Sequence, residues 1–320
     1  MGDLGYSLPG YFGLSGRAVK ERGYYVCNTG QGPVKIHKTS GEPREINARY
    51  ELQKRLSAAG FSQTDFLMET PQGAPYLQLG RDVFIMTRHI SGRELDLDNL
   101  NDVALALESL AKFHLAARDI LTWGITAPSL TDAFSKQTSG LTQTMKQVGR
   151  RPRLSDFDVL LLKHAPAFAK AAEEASAALA ETDYTALYTA ALDGGHICHN
   201  ALKEENLPIF QEACYILNLS EASRDLQLAD LASFIRRYAR RSNKELPIGR
   251  LLEIYNKFAP LPASAAAILF AQLSYPWPFM KLVSLYYSKK RNFTPVAIKS
   301  RMDEILTEQE IYDEYISNLV

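Results

Sequence analysis

The chain has 320 residues, beyond the ~250–300 at which one hydrophobic core usually stops growing, so two packed lobes are expected. Apolar residues make up 46% of it, and 36 basic and 36 acidic side chains cancel, which argues against nucleic acid or an anionic membrane as main partner. Three scattered cysteines (Cys27, Cys198, Cys214) argue against a disulfide framework or zinc site; with no signal-peptide pattern or membrane span legible, a soluble, intracellular protein is expected.

The first stretch is β-rich. Strands are predicted over residues 23–28 and 33–38, with Thr29-Gly30-Gln31-Gly32 as the turn. Residues 44–59 carry Ile46, Tyr50, Leu52 and Leu56 at helical spacing and end at Gly60, which predicts a helix. Two more strands follow, 74–79 and 82–87, joined at Gly80-Arg81.

Beyond Ile90-Ser91-Gly92-Arg93 the chain turns helical. Asp98 or Asn99 caps a helix whose stripe is Leu100, Val103, Leu107, Leu110, Ala111, His114 and Leu115. Residues 121–153 are polar, with a basic knot at Arg150-Arg151-Pro152-Arg153, and read as loops and short helices. A long helix is predicted over 156–181, then two short strands, 196–199 and 213–218, around a loop. Helices follow from Asp225, with breaks near Pro247, Pro260–Pro262, residues 275–278 and Thr294-Pro295. The outline is α+β: an N-lobe of antiparallel sheet and one main helix over 1–92, and a helical C-lobe over 93–320 that holds a hairpin at 196–220.

The most informative segments are Ile197-Cys198-His199-Asn200-Ala201-Leu202-Lys203-Glu204-Glu205-Asn206, Cys214-Tyr215-Ile216-Leu217-Asn218-Leu219-Ser220 and the run from Asp225 through Asp230-Leu231. Together with Leu110-Ala111-Lys112-Phe113-His114 and Ser274-Tyr275-Pro276-Trp277-Pro278-Phe279, they resemble the spore coat protein CotS family. That family belongs to the aminoglycoside-phosphotransferase and choline-kinase-like branch of protein-kinase-like folds. The resemblance runs from about Tyr24 onward and implies a bilobal kinase-like fold.

The branch has a catalytic loop His-x-Asp-x-x-x-x-Asn, then a strand ending in a metal-binding aspartate. His199 and Asn206 match at the right spacing; Ala201 stands at the catalytic aspartate and Asn218 at the metal position, with Ser220 where a second acidic residue is common. Alanine cannot accept a proton, and a neutral amide does not counter the charge of Mg²⁺. Lys35, on the second strand, matches the lysine that grips nucleotide phosphates, with Glu45 or Glu51 as its helix partner; no GxGxxG run precedes it.

The expectation is therefore a pseudokinase with no intact catalytic residue and no resident metal, and with degenerate nucleotide and metal positions at Lys35, Asn206 and Asn218. Its role would be structural, among other spore coat proteins, in the mother-cell cytoplasm and then the coat. The alternatives are a small-molecule kinase using ATP and Mg²⁺, with Asp225 or Glu205 as base, and a nucleotide-binding regulator without turnover.

Other chemistry reads as structural. His114 is expected to be a buried core histidine tying its helix to the loop. Glu204 and Glu205 suit a solvated loop face, and strand alternation separates His199 from His196 and Cys198. The run Arg236-Arg237-Tyr238-Ala239-Arg240-Arg241 suits a solvated helix face, and Tyr275, Trp277, Phe279, Tyr286 and Tyr287 suit packing of the last helices.

Overall fold

The computed structural model of the protein describes residues 4–15, 17–21, 23–30, 32–242, 247–288 and 294–317; Gln31, in the expected hairpin turn, lies outside them. Contacts divide the chain into two compact units. The first comprises residues 1–125, 194–224 and 257–259, and the second 126–193, 225–256 and 260–320. Gly92 falls within the first.

The first unit opens with helix α1 (Leu4–Tyr11) and the strands β1 (Val19–Lys20), β2 (Tyr25–Thr29) and β3 (Gly32–Thr39). Helix α2 (Pro43–Ala58) follows, then β4 (Leu77–Leu79), β5 (Asp82–Arg88) and helix α3 (Leu100–Ala116). The five strands form an antiparallel sheet in the order β1-β2-β3-β5-β4. β3 and β5 lie at its centre, and alternation along them separates two faces. Val34, Ile36, Phe84 and Met86 point to one face, where they pack with Cys27, Ala18 and with Leu8 and Phe12 at the start of the chain. Ile85 points to the other and packs on Leu67 and on Ile46 of α2. Lys35 and His37 share that second face, opposite Thr87 and Ile85 in the register.

Helix α2 starts where the sequence places it: Pro43 sits in the first turn, and Glu42 and Glu45 form a reciprocal capping box. Its inner side repeats every three to four residues through Ile46, Arg49, Gln53 and Leu56. Gln53 is buried. Its Nε2 donates to the Asp65 carbonyl (3.1 Å), and its Oε1 accepts the Leu67 N–H (2.8 Å), which fixes the segment entering the sheet. For α3, Asn99 is the cap, its side chain accepting the Asn101 N–H.

The strand pairs β6 (Ile197–Cys198) with β9 (Ser223–Arg224), and β7 (Ile209–Phe210) with β8 (Ala213–Cys214), complete the unit. The predicted strands at 196–199 and 213–218 are shorter than expected because residues 199–206 and 215–218 spend their backbone groups on one another and on loops. Ser109 of α3 donates to the Cys214 carbonyl (2.6 Å), and Trp123 Nε1 donates to the Ala222 carbonyl (3.1 Å). Two glycines permit close approaches. Gly195 has φ +59°, and a Cβ there would lie 2.6 Å from the Ile120 nitrogen; one on Gly92 would lie 2.7 Å from the Ile209 carbonyl oxygen. Arg93 and Ile209 exchange both backbone hydrogen bonds, so the segment after β5 is stitched to β7.

The second unit is helical: α4 (Leu130–Val148), α5 (Asp156–Ala180), α6 (Tyr184–Asp193), α7 (Leu228–Arg241), α8 (Ile248–Asn256), α9 (Ala265–Ser274), α10 (Trp277–Tyr287) and α11 (Pro295–Ser317). α4 replaces the loops and short helices expected there. Its Ser, Thr and Gln content hides a narrow stripe, Phe134, Leu141 and Val148 at seven-residue spacing, and Ser129 caps it. The aromatic residues pack as expected: Tyr275 stacks on Phe134 (3.9 Å between centroids) and Phe279 on Phe168 (3.9 Å).

The basic run in α7 is not a solvated face. Tyr238 is fully buried, Arg236 donates to the Gln272 and Leu273 carbonyls at the end of α9 (2.9 and 3.1 Å), and Arg240 pairs with Glu308. Helix C-termini leave carbonyls unpaired, and one terminal nitrogen of the guanidinium, Nη2, meets two at once. No described helix is long and apolar enough to cross a membrane.

Gly92→Ala should destabilise the protein by about 1–3 kcal/mol, since its methyl meets backbone that is itself hydrogen-bonded. Gly140→Ala, on the open face of α4 with nothing within 4 Å of the new Cβ, should stabilise by roughly 0.5–1 kcal/mol. Urea midpoints of the two variants should move in opposite directions.

Candidate functional site

The loop after β6 and the segment after β8 are held together by His199. Its Nδ1 accepts the Ala201 N–H (3.1 Å), so Nε2 carries the proton and donates to the Leu217 carbonyl (2.8 Å). The ring is fully buried, edge-on to Phe113 of α3. Asn206 adds a second link: its Nδ2 donates to the Ala201 carbonyl (2.8 Å), and its own carbonyl accepts the Leu217 N–H (2.9 Å). Asn200, at φ +62°, donates from Nδ2 to the Glu221 carbonyl (3.1 Å) and to Ser223 Oγ (2.8 Å). The loop is therefore pinned at both ends of its turn.

His199, Ala201, Asn206 and Asn218 are thus brought together. Asn218 adopts a left-handed backbone, φ +65°, and is exposed; asparagine tolerates this conformation better than most residues. Its N–H donates to Asp65 Oδ1 (2.9 Å), and two residues earlier the Ile216 N–H donates to the Gln63 carbonyl (2.8 Å). Asp65 is the carboxylate that reaches this position. Burial lifts its pKa above the usual carboxylate range, against the pull of the Asn218 N–H and of the Arg49 and Lys35 charges. Arg49, Gln53 and Asp65 were not among the residues the sequence singled out for the site. A charged residue inside an otherwise apolar helix stripe was the signal available for Arg49; Asp65 has none, because its partner is 153 residues away.

Lys35 lies on β3 with its Nζ 4.6 Å from the centre of the Tyr24 ring, and no carboxylate among the described residues stands within ion-pair distance of it. Neither expected partner reaches it. Glu45 Oε2 accepts the Glu42 N–H in the capping box, and Glu51 pairs with Lys54 on the surface. The residue that α2 directs at the sheet face is Arg49, one turn on from Ile46. His37 shares that face, and burial, with the Lys35 and Arg49 charges, lowers its pKa to about 4.

The remaining candidates make contacts of other kinds. Glu205 makes an exposed pair with Lys203 (3.6 Å), and Glu204 opens a short 3-10 turn, Glu204–Asn206. Asp225 belongs to the second unit, where its buried carboxylate accepts the Leu226 N–H (2.7 Å) and burial pushes its pKa to about 7. His114 is fully buried in α3, as expected. The three cysteines are buried and form no disulfide, and burial raises Cys214 to about 12, far from a reactive thiolate.

The donor set does not fit Mg²⁺. Asn206 and Asn218 each offer one neutral amide oxygen, and Asp65 is turned onto a backbone N–H; no pair of free carboxylates is present at these positions to balance the ion's charge.

The family model for the spore coat putative kinase YutH matches residues 10–319. The chain belongs to that family. It is a spore coat kinase-like family, the kind expected from the CotS-like motifs, with YutH as the matching model. The aminoglycoside phosphotransferase from Alicyclobacillus acidocaldarius subsp. acidocaldarius is 19% identical and superposes with a TM-score of 0.81, over 95% of this chain and 91% of that one. A spectinomycin phosphotransferase solved as an AMP-bound complex is 14% identical, with a TM-score of 0.70 over 97% of each chain. A choline/ethanolamine kinase family protein from Mesorhizobium loti is 14% identical, with a TM-score of 0.55 over 98% and 94%. These likenesses establish the fold, α+β with an antiparallel sheet in the N-terminal part. Comparison with curated protein sequences finds no match.

His37 gives the site a pH signature. Its pKa lies below its usual 6.5, so between about 6.5 and about 4 the unfolded chain binds a proton that the fold refuses. Stability therefore falls as pH drops through that window and levels off below it, by up to roughly 3 kcal/mol for this residue. His37→Gln should flatten the dependence of unfolding free energy on pH between 4 and 6.5, and leave the slope above pH 7 unchanged.

Proposed function

We propose that this protein is a catalytically inactive, kinase-like member of the spore coat, working as a folded interaction module whose partners are other coat proteins. The observation that carries the reading is the loop itself. Its hydrogen-bonded frame is kept through His199, Asn200 and Asn206, while the two positions that would perform phosphoryl transfer hold Ala201 and Asn218. Alanine cannot accept the proton of an attacking hydroxyl, and loss of the carboxylates that position metal and nucleophile removes most of what a kinase fold contributes to the reaction. A frame retained without its chemistry fits a scaffold. The family's description supports the coat as destination; synthesis in the mother-cell cytoplasm is part of the proposal.

A second reading, ATP-dependent phosphorylation of a small-molecule hydroxyl, is favoured by the family's description as a putative kinase and by Asp65, a carboxylate bonded at Asn218. It would need that carboxylate to leave the Asn218 N–H and to ionise against its burial. Nucleotide binding without turnover needs neither.

In a sporulating host, the wild-type protein and Asn218→Gly should enter the coat to the same extent. Glycine keeps the left-handed backbone and removes the last side chain at the metal position. Incorporation of the wild type with loss of a stably folded Asn218→Gly would tie the role to that position's chemistry. Absence of both from the coat would remove the coat assignment.

A further inference from the structure

Among the described residues eight buried side-chain polar atoms have no hydrogen-bond partner, and three of them gather where α2 faces the sheet: His37 Nδ1, Arg49 Nε and Thr87 Oγ1. A buried polar atom that nothing meets keeps its desolvation penalty, so three in one place call for a ligand. Thr87 is only 1% exposed and lies opposite Lys35 in the β3–β5 register, with His37 two residues along the same face. Arg49 is carried to that face by Ile46, one turn earlier, which packs on Ile85 and Leu67. No carboxylate stands within ion-pair distance of Lys35 or Arg49 among the described residues. The carboxylate that feels both charges is Asp65, which spends Oδ1 on Asn218, so two cations against one carboxylate leave a positive surplus even when Asp65 is ionised.

We infer that this face binds a phosphate-bearing anion without a divalent cation, with Arg49 as the principal ligand and Lys35, His37 and Thr87 completing the cradle. A guanidinium presents paired donors that match two phosphate oxygens, and a lysine adds a point charge beside it. A helix carboxylate at the place of Arg49 would hold Lys35 and require a metal to carry the phosphates. Arginine there reverses the sign, and the cation is no longer needed. His37 responds in turn: an anion between it and the two cations favours its charged form, so binding raises its pKa. This deepens the non-catalytic reading above by giving the module a ligand, and it depends on that reading only in needing no turnover.

The test is titration of the full chain with inorganic pyrophosphate and with ADP, each in excess EDTA, followed by thermal shift and by the histidine ring resonances. The melting temperature should rise with chelator present, the His37 titration should move upward on saturation, and Arg49→Gln should weaken binding at least tenfold. If Arg49→Gln does not fold, Lys35→Gln, on a half-buried strand position, should show the same loss. ADP binding tenfold more tightly than pyrophosphate would assign the anion to a nucleotide, and equal affinities would assign it to the phosphates alone; both uphold the site. No shift in EDTA, a shift that appears only when Mg²⁺ replaces the chelator, or binding untouched by either variant would overturn it. A turnover assay is a separate readout, so binding in EDTA stands whether or not the non-catalytic reading does.

Discussion

One imidazole sets the geometry on which the rest of the site depends. His199 is buried, accepts a hydrogen bond from Ala201 and donates one to Leu217, so it fixes both its own tautomer and the distance between two segments of chain. Everything at the site is registered to that link. Asn206 can reach the Ala201 carbonyl because the loop closes on itself, and Asn218 takes its left-handed turn immediately after the carbonyl that His199 holds. An alanine at 201 leaves this frame intact, since the bonds run through backbone at that residue and not through its side chain. The scaffold and the chemistry of the loop are therefore separable, and the function proposed above is that only the first is kept.

The charge layout follows the same division. Where phosphoryl transfer would gather carboxylates around a metal, this site has two amides, an alanine and one aspartate turned onto backbone. Where a helix acid would neutralise Lys35, α2 brings a guanidinium. The two changes are physically consistent. Removing carboxylates without removing cations leaves a surface that favours anions and disfavours Mg²⁺, whereas a kinase balances both in one place. Lys35 rests over the Tyr24 ring, a contact worth about 0.5–1 kcal/mol at partly exposed sites, weak enough to yield to a stronger partner.

How much was legible in the sequence depended on how local each signal was. The β2–β3 hairpin, the start of α2 near residue 44, a cap at Asp98 or Asn99 and the loop from His199 to Asn206 are written in neighbouring residues, and each was found. α4 was not, because its apolar stripe is one residue per two turns in a polar background, and only burial against other helices makes it a helix. The basic run of α7 looked solvated since nothing local marks the carbonyls that Arg236 meets. The pairing of Lys35 with Glu45 or Glu51 failed for a related reason: spacing places a residue on a helix but does not rotate it toward the sheet. That rotation is set by Ile46 and Gln53, and it selects Arg49. Asp65 was beyond reach altogether, being defined by a hydrogen bond between distant parts of the chain.

The central claim is that a kept frame has lost its chemistry, and single-turnover measurement with the protein in excess over γ-labelled ATP, in Mg²⁺ and with small hydroxyl acceptors, meets it most directly. The account predicts no ADP and no labelled product above the protein-free control, for wild type and for Asp65→Asn alike. ADP or labelled product formed by the wild type and abolished in Asp65→Asn would contradict it, and would make Asp65 the carboxylate that replaces those missing at 201 and 218.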